Sequence, residues 1–574
     1  MRKPNPSILR SLFEGDILED LAFPYPTLDK DEAEVVKIVI DNLEQWAAEH
    51  HDAAAADAQG SFSEGTLEAL GDMGIFGLVV PEEYGGLGLS QMGYGKVYEA
   101  VTRIDGSLSV TVGGHCSIGM KGLLVFGTEA QKRKYLPDLA TGAWLAAFAL
   151  TEPGAGSDVS AIQTRAEQQS DGSWVLNGQK LWITNGGIAD FFTIFAKTPV
   201  SSEGKTEDRI TAFLLTWGVE GFTRGPEEHK LGIKASSTVP LFFDNVVLPA
   251  DSVLGEVGEG FKVAMTILNT GRLGLSLGTV GGAKAVINEA AGHSRQRQQF
   301  GRPISEFELI QGKLAQMTLD TYAAESMAYL TAGLADRGDV DYSMESAVCK
   351  VYASERTWAV VNEGLQIMGG LGYMQGYPLE RALRDARINQ IFEGTNEILR
   401  LFIALVGLRG PGEHLQRLGE ALRNPLRSIA PLARFAAAAL RRAIRPPRLT
   451  QLHPLLRRQG VEFVRGVQLV RAALRATLRR SGRGIVDRQL ILQRYADTAI
   501  DLYGMLAVLS RVTGRLNAVG EGAAERELNI ARTFFGQAGG RIRGAMRQTR
   551  RNRDRTMRQM GADVNERKGY DFPV

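Results

Sequence analysis

The segment Ile391-Phe392-Glu393-Gly394-Thr395-Asn396-Glu397 sets a carboxylate between an aromatic residue and a glycine. Behind it runs Ile398-Leu399-Arg400-Leu401-Phe402-Ile403-Ala404-Leu405, a largely apolar stretch that reads as a buried helix. Gly394 lets the turn between them be tight. A carboxylate held there can act as a general base. It can equally help to cap the next helix, whose N-terminus favours negative charge.

Four other stretches carry residue types suited to chemistry. Phe148-Ala149-Leu150-Thr151-Glu152-Pro153-Gly154-Ala155-Gly156-Ser157-Asp158 starts as a strand and becomes a loop, leaving N–H groups and a hydroxyl for a polar ligand. Lys180-Leu181-Trp182-Ile183-Thr184 puts an indole and a hydroxyl on one strand face, which suits a flat heteroaromatic ring with polar edges. The arginines of Arg297-Gln298-Gln299-Phe300-Gly301-Arg302 can hold a pyrophosphate in a bidentate manner. Gln366-Ile367-Met368-Gly369-Gly370 is a glycine loop between helices, without the spacing or the preceding strand of a dinucleotide fingerprint. Each also has an ordinary structural reading: a turn, a core tryptophan, helix-end arginines, an interhelical loop. Gly274-Leu275-Ser276-Leu277-Gly278 fits a nucleophile elbow only by letters, because it lies inside a helical stretch with no strand before it.

The elements that must position these residues change in texture along the chain. An arm with four prolines occupies 1–30, followed by a mostly helical region, 31–145. Short β-branched and aromatic runs separated by Asn-Gly turns make 146–255 a β domain, expected to be antiparallel. The helical period returns over 256–408, with long helices expected at 258–294, 305–336 and 342–369. Helices, strands and helices in that order give an α+β chain and not an alternating one. Residues 409–458 hold eleven arginines against two acidic residues, with apolar residues every three or four positions and prolines at 425 and 431. Further helices follow at 459–535, and 536–574 reads as an Arg-rich, partly disordered tail.

The 574 residues carry 44% apolar and 23% charged residues and a net charge of +1, so nothing in the overall charge favours nucleic acid. Cys116 and Cys349 have no metal or redox spacing, and no metal site is expected. Acidic residues at 14, 16, 19 and 20 argue against a signal or transit peptide, leaving a cytoplasmic protein, peripheral at most to the inner face of a membrane.

Taken together, Val80-Pro81-Glu82-Glu83-Tyr84-Gly85-Gly86, Thr151–Asp158, Trp182–Gly186, Arg297–Gly301, Gln366–Gly370 and Phe392–Thr395 stand in an order and spacing that resemble the acyl-CoA dehydrogenase family over about 23–408. The resemblance implies an N-terminal α-helical domain, a β domain and a four-helix-bundle domain, with FAD between them and a neighbouring subunit. It implies that Phe148, Leu150, Thr151, Ser157, Trp182 and Thr184 contact the flavin, with Thr395 and Glu397 near the same FAD. Arg297, Phe300, Gln366 and Gly370 would reach the FAD of a partner subunit. Glu393 would be the base, and Arg272, Ser157, Gly113, Gly114, Phe392 and Gly394 would meet the acyl-CoA. The extra C-terminal helical domain resembles the very-long-chain subgroup, and Gly113 and Gly114 imply a deep acyl pocket. By the same resemblance the partners are a long-chain acyl-CoA, an electron-transfer flavoprotein and a second copy of the chain. The basic segment 409–458 is expected on an anionic bilayer, with a solvated linker as the plain alternative. A short- or branched-chain dehydrogenase, an oxidase, and a non-catalytic scaffold keeping the fold are the competing functions. Apolar burial and a nearby helix N-terminus pull the Glu393 pKa in opposite directions.

Overall fold

The computed structural model describes residues 5–202, 204–423 and 448–572. Contacts divide it into two compact units, Pro26–Ile398 and a second made of Met1–Tyr25 with Leu399–Val574.

The larger unit begins with helices. Lys30–His50 starts at Asp29, whose carboxylate accepts the Asp31 N–H at 2.9 Å, and it buries Val36, Val39 and Leu43 on one face. Gln91–Ile104 is capped by the Ser90 hydroxyl. Gly106–Gly113 then passes into a π-helical turn, Gly114–Gly119. Gly106–Phe126 is long and apolar enough to cross a bilayer, yet 72% of the window is buried inside this unit, as in a core helix.

The β domain is one sheet with strands β1 (Ala146–Ala149), β2 (Arg165–Gln168), β3 (Trp174–Thr184), β4 (Phe191–Ser202), β5 (Lys205–Thr216), β6 (Phe222–Arg224), β7 (Thr238–Leu248) and β8 (Val253–Leu254). The order is β6-β7-β3-β2-β4-β5-β8, with β1 also on β4. Most pairs are antiparallel as expected, but β1 and β2 each join β4 in parallel, so the sheet is mixed. The reason lies in the loops: 150–164 leaves the sheet after β1 and returns at β2, too long for a hairpin. Phe191, Phe192, Ile194, Phe195, Phe213 and Leu241 fill the interior.

Long helices follow at Gly260–Gln296, Glu308–Asp336 and Ser343–Met368, and Asn396–Arg423 begins at the end of this unit, with the residues from Leu399 on belonging to the smaller one. The first three pack against one another, and Gly260–Gln296 also packs on Gln91–Ile104. That last contact is close, since a Cβ on Gly281 would lie 2.2 Å from the Glu99 carbonyl oxygen.

In the smaller unit the proline-rich arm is not separate. Helix Ile8–Glu14 buries Ile8, Leu9, Leu12 and Phe13 and packs on helices Arg457–Ser481 and Gln489–Ala523. The tail expected to be partly disordered is helical across 525–548 and 554–566. Its arginines masked a buried face of Ala538, Ile542 and Met546 that continues the helix of Phe534 and Phe535, and Arg541 is held by Asp501 at 2.6 Å. Of the basic segment 409–458, helix runs to Arg423, and 424–447, with Pro425 and Pro431, lies outside the described residues.

Candidate active site

Two consecutive left-handed residues form the turn before helix Asn396–Arg423: Glu393 at φ 58° and Gly394 at φ 91°. Glycine takes that conformation freely, whereas a glutamate is strained there by roughly 1–2 kcal/mol. The helix is capped by Thr395, whose hydroxyl accepts the Ile398 N–H at 3.4 Å, and not by Glu393. Glu393 Oε2 has no hydrogen-bond partner. Its side chain is largely buried and borders the cavity described below. Burial pushes its pKa up to about 7, against the opposing pull of Arg272 and Lys350. The apolar side of the opposing pair expected from sequence wins, and the counter-pull comes from two cations.

Those cations also hold the backbone. Arg272 Nε donates to the Glu393 carbonyl at 3.1 Å, and Lys350 Nζ donates to the Gly394 carbonyl at 2.8 Å. Arg272, expected against the acyl-CoA, is thus buried behind the base. Among the described residues nothing in the protein accepts the Glu393 N–H.

The cavity has a volume of about 360 Å³ and runs along one face of helix Gly260–Gln296. Gly271, Leu275, Gly278, Thr279, Gly282, Val286 and Glu289 mark that face at helical spacing. A Cβ on Gly271 would fall 2.9 Å from Glu393 Oε2, which fixes the end where the base sits. Glu289 is eighteen residues further on, about 27 Å at 1.5 Å per residue. Phe392, Gly113, Gly114 and Thr184 line the same cavity. A Cβ on Gly113 would lie 2.3 Å from the Tyr98 hydroxyl, and one on Gly114 would lie 3.0 Å from Thr184 Cγ2, so both glycines are needed for the close approach.

The wall carrying Thr184 is the end of β3. Its register against β7 slips between Lys180 and Ile183, and Trp182 is left-handed at φ 57°. Simple alternation therefore does not hold, yet Trp182 (61% exposed) and Thr184 both stay accessible while Ile183 between them is buried. The Thr184 and Thr151 hydroxyls make no hydrogen bond among the described residues. The Thr184 hydroxyl faces the carboxylate across the cavity, and the exposed Trp182 indole two residues before it on β3 adds the apolar surface that a flat ring with polar edges needs.

The loop after β1 is pinned by a buried ion pair. Lys180 Nζ lies 2.7 Å from Glu152 Oε1 and donates to the Leu150 and Phe195 carbonyls at 3.2 and 2.7 Å. Glu152 also accepts the Gln163 and Thr164 N–H groups. Thr151 takes the Leu181 N–H on its carbonyl at 2.9 Å. Phe148 packs on Phe195 with ring centroids 5.1 Å apart, the Leu150 side chain is buried, and Ser157 is exposed on the loop.

Arg297, Phe300, Gln366 and Gly370 are all exposed and none lines the cavity. Arg297 follows Gly271 by twenty-six residues, about 39 Å along one helix. Glu397 is exposed in the first turn of its helix. Lys180, Glu152 and Lys350 escaped sequence reasoning. The available signal was a lysine at an inward position of an apolar pattern, Lys180 before Leu181 and Lys350 within Val348-Cys349-Lys350-Val351.

Family profiles cover most of the chain. "Acyl-CoA dehydrogenase, N-terminal domain" matches 34–143, the corresponding middle domain 147–246 and the C-terminal domain 258–408. "ACAD9/ACADV, C-terminal domain" matches 454–570. The chain is 45% identical over 543 residues to the mitochondrial very long-chain specific acyl-CoA dehydrogenase of Homo sapiens, covering 93% of this chain and 83% of that one. An acyl-CoA dehydrogenase from Bacillus anthracis, solved in complex with FAD, superposes with a TM-score of 0.80 at 32% identity over 98% of this chain and 96% of that one. Butyryl-CoA dehydrogenase from Megasphaera elsdenii gives 0.62 at 38% identity, over 66% and 98%.

Proposed function

Because the chain belongs to the acyl-CoA dehydrogenase family, we propose that it oxidises long-chain acyl-CoA thioesters to trans-2-enoyl-CoA with FAD as its cofactor. The carrying observation is that Thr184 and Glu393 face one cavity that continues past the base for about 27 Å. An extended alkyl chain advances about 1.25 Å per carbon, from C–C bonds of about 1.5 Å at the tetrahedral angle, so roughly twenty carbons fit.

Trp182, Thr184 and Thr151 offer the ring face and polar edge that a flavin needs, and bound FAD supplies acceptance of the hydride leaving the β-carbon. The chain's own residues handle the proton. Glu393 Oε2, without a partner, takes the α-proton of the thioester. Its raised pKa makes it a stronger base than an exposed glutamate, and burial keeps water from competing for the proton. The open Glu393 N–H is a donor for the thioester oxygen as negative charge develops there. Arg272 and Lys350 fix that peptide by its neighbouring carbonyls.

The surface far from the cavity supports a second copy of the chain as partner. Phe300 is 93% exposed and Arg297, Gln366 and Gly370 lie with it at the helix end distant from Glu393, suited to another subunit's FAD. Reduced cofactor would pass its electrons to an electron-transfer flavoprotein. The arginine excess of 409–458 favours an anionic membrane surface on the cytoplasmic side. Vesicle flotation with and without anionic lipid tests that, and equal flotation after deletion of 409–458 would remove it.

The central test is anaerobic mixing of the purified protein with butyryl-, octanoyl- and palmitoyl-CoA. Loss of visible flavin absorption with palmitoyl-CoA, and little with butyryl-CoA, is expected. A protein without flavin, or one no thioester bleaches, would leave only the scaffold reading. Repeating the mixture in air exposes an oxidase through peroxide.

A further inference from the structure

Lys350 is fully buried on helix Ser343–Met368, and the reaction as derived uses its N–H groups to fix a peptide but gives its charge no part. Its ammonium donates to the Gly394 carbonyl at 2.8 Å and to Asn396 Oδ1 at 2.9 Å. Asn396 is held in turn by Ser354 Oγ at 3.0 Å and Glu355 Oε1 at 3.2 Å. These contacts tie the turn that carries the base to one helix, while Arg272 ties the preceding carbonyl to another, Gly260–Gln296. The carbonyls of two consecutive left-handed residues are thereby each held by a positive charge.

We propose that Lys350 is a positioning residue for proton abstraction: its ammonium holds the Gly394 peptide and keeps the Glu393 carboxylate in its ionised, proton-accepting form. The proposal rests on the dehydrogenase reading above.

A lysine merely filling space would have its charge facing water or a single paired carboxylate. Here the ammonium is bound to a carbonyl and an amide oxygen, both neutral, so the charge is not consumed by a contacting acid. The charged groups around it are Glu393, Arg272, Glu355 and Glu397. Burial pulls the lysine down to about 7, and Glu393 is the foremost group resisting that pull. Lys350 in turn favours the charged carboxylate. Each group favours the charged form of the other, and on Glu393 the pull of Lys350 adds to the larger one of Arg272, which touches the Glu393 carbonyl. Lys350 does not line the cavity, so its removal has no direct route to the affinity for acyl-CoA.

The test separates holding from charge. Lys350→Gln keeps an N–H donor for the Gly394 carbonyl and loses the charge, whereas Lys350→Arg keeps the charge. The pH profile of kcat/KM for palmitoyl-CoA is measured on the FAD-loaded protein. Without the cation the carboxylate is less favoured and the Glu393 pKa rises, so the acid limb moves to higher pH. For Lys350→Gln we expect a shift of about one pH unit. That is roughly a tenfold loss below the limb, recovered at alkaline pH, with KM within about threefold of the wild type. Lys350→Arg should keep the wild-type limb. A pH-independent loss in Lys350→Gln, or an equal shift in Lys350→Arg, overturns the proposal. Should Lys350→Gln fail to fold, the Glu393 carboxyl titration followed by infrared spectroscopy in Lys350→Arg and wild type decides. A carboxyl that titrates more than half a pH unit higher in Lys350→Arg overturns the proposal, and a coincident titration supports it. Wild-type protein that turns over no acyl-CoA would refute the dehydrogenase reading instead.

Discussion

Replacing Gly282 with leucine should shorten the range of accepted acyl chains without weakening the fold. Gly282 lines the cavity, and a Cβ there would meet only Thr102 Cγ2 at 3.6 Å, ordinary van der Waals contact. It lies eleven residues beyond Gly271, so about 16 Å from the base at 1.5 Å per residue. Helical side chains lean toward the N-terminus by about one residue, which brings the obstruction to about 15 Å. A stearoyl chain extends about 20 Å past its α-carbon at about 1.25 Å per carbon, whereas an octanoyl chain extends about 7.5 Å. Roughly four methylenes of the stearoyl chain lose their place. At about 0.8 kcal/mol each that is about 3 kcal/mol, or a 100- to 200-fold fall in kcat/KM. Octanoyl-CoA should change by less than about threefold, since its chain ends before the obstruction. Glycine is the poorest helix former after proline, so leucine at 282 should raise thermal stability, by about 0.5–1 kcal/mol. The assay is steady-state turnover across even-chain thioesters together with a melting curve. An equal loss for both substrates would show that the cavity is not the acyl channel, and an unchanged stearoyl rate would show that the channel does not follow the helix.

Four other outcomes are expected. Glu393→Gln should bind palmitoyl-CoA but leave the flavin unbleached, and bleaching at the wild-type rate would place the base elsewhere. The pH profile of kcat/KM should rise through about 7, where Glu393 loses its proton, and a limb near the ordinary glutamate value of 4.5 would contradict its burial. Because the carboxyl is raised from 4.5 to about 7 on folding, stability is lost as pH rises from about 4.5 through about 7, by about 3 kcal/mol in full above that. Glu393→Gln should therefore melt higher than wild type at pH 8 and alike at pH 4, and a difference independent of pH would refute the linkage. Lys180→Met should leave Glu152 charged and unpaired in the interior, lowering stability in denaturant by roughly 3–5 kcal/mol and releasing FAD. Retained FAD with unchanged stability would mean that the pair does not hold the loop.

How far the chain could be read before its structure follows from what each residue type signals. Helix and strand periods were visible because side-chain burial repeats at 3.6 or 2 residues, and so the succession of helices, sheet and helices was legible. Glu393, Thr184 and Gly114 were picked out by their neighbours in sequence, and they face one cavity. Lys350 and Lys180 were not, because a lysine in an apolar run carries no mark of whether it snorkels to water or meets a buried carbonyl. The positive φ of Trp182 was equally hidden, since nothing local to Leu181-Trp182-Ile183 announces a bulge. The tail was misjudged for a simpler reason: arginines dominate its composition, but Ala538, Ile542 and Met546 repeat at helical spacing beneath them, continuing the face of Phe534 and Phe535.

The glycine face of Gly260–Gln296 also limits how such an enzyme can adapt to heat. Substituting alanine for helical glycine is among the simplest stabilising changes, at roughly 0.5–1 kcal/mol per site. At Gly271 the new methyl would press on Glu393, at Gly278 on Tyr98 and at Gly281 on the Glu99 carbonyl. Gly282 alone of these four has space for it, and that space is the acyl channel. A lineage moving to warmer habitats could therefore stiffen this helix at 282 only by narrowing its diet of fatty chains, and would otherwise have to place the change beyond the cavity, as at Gly292, where a new methyl meets nothing within 4 Å.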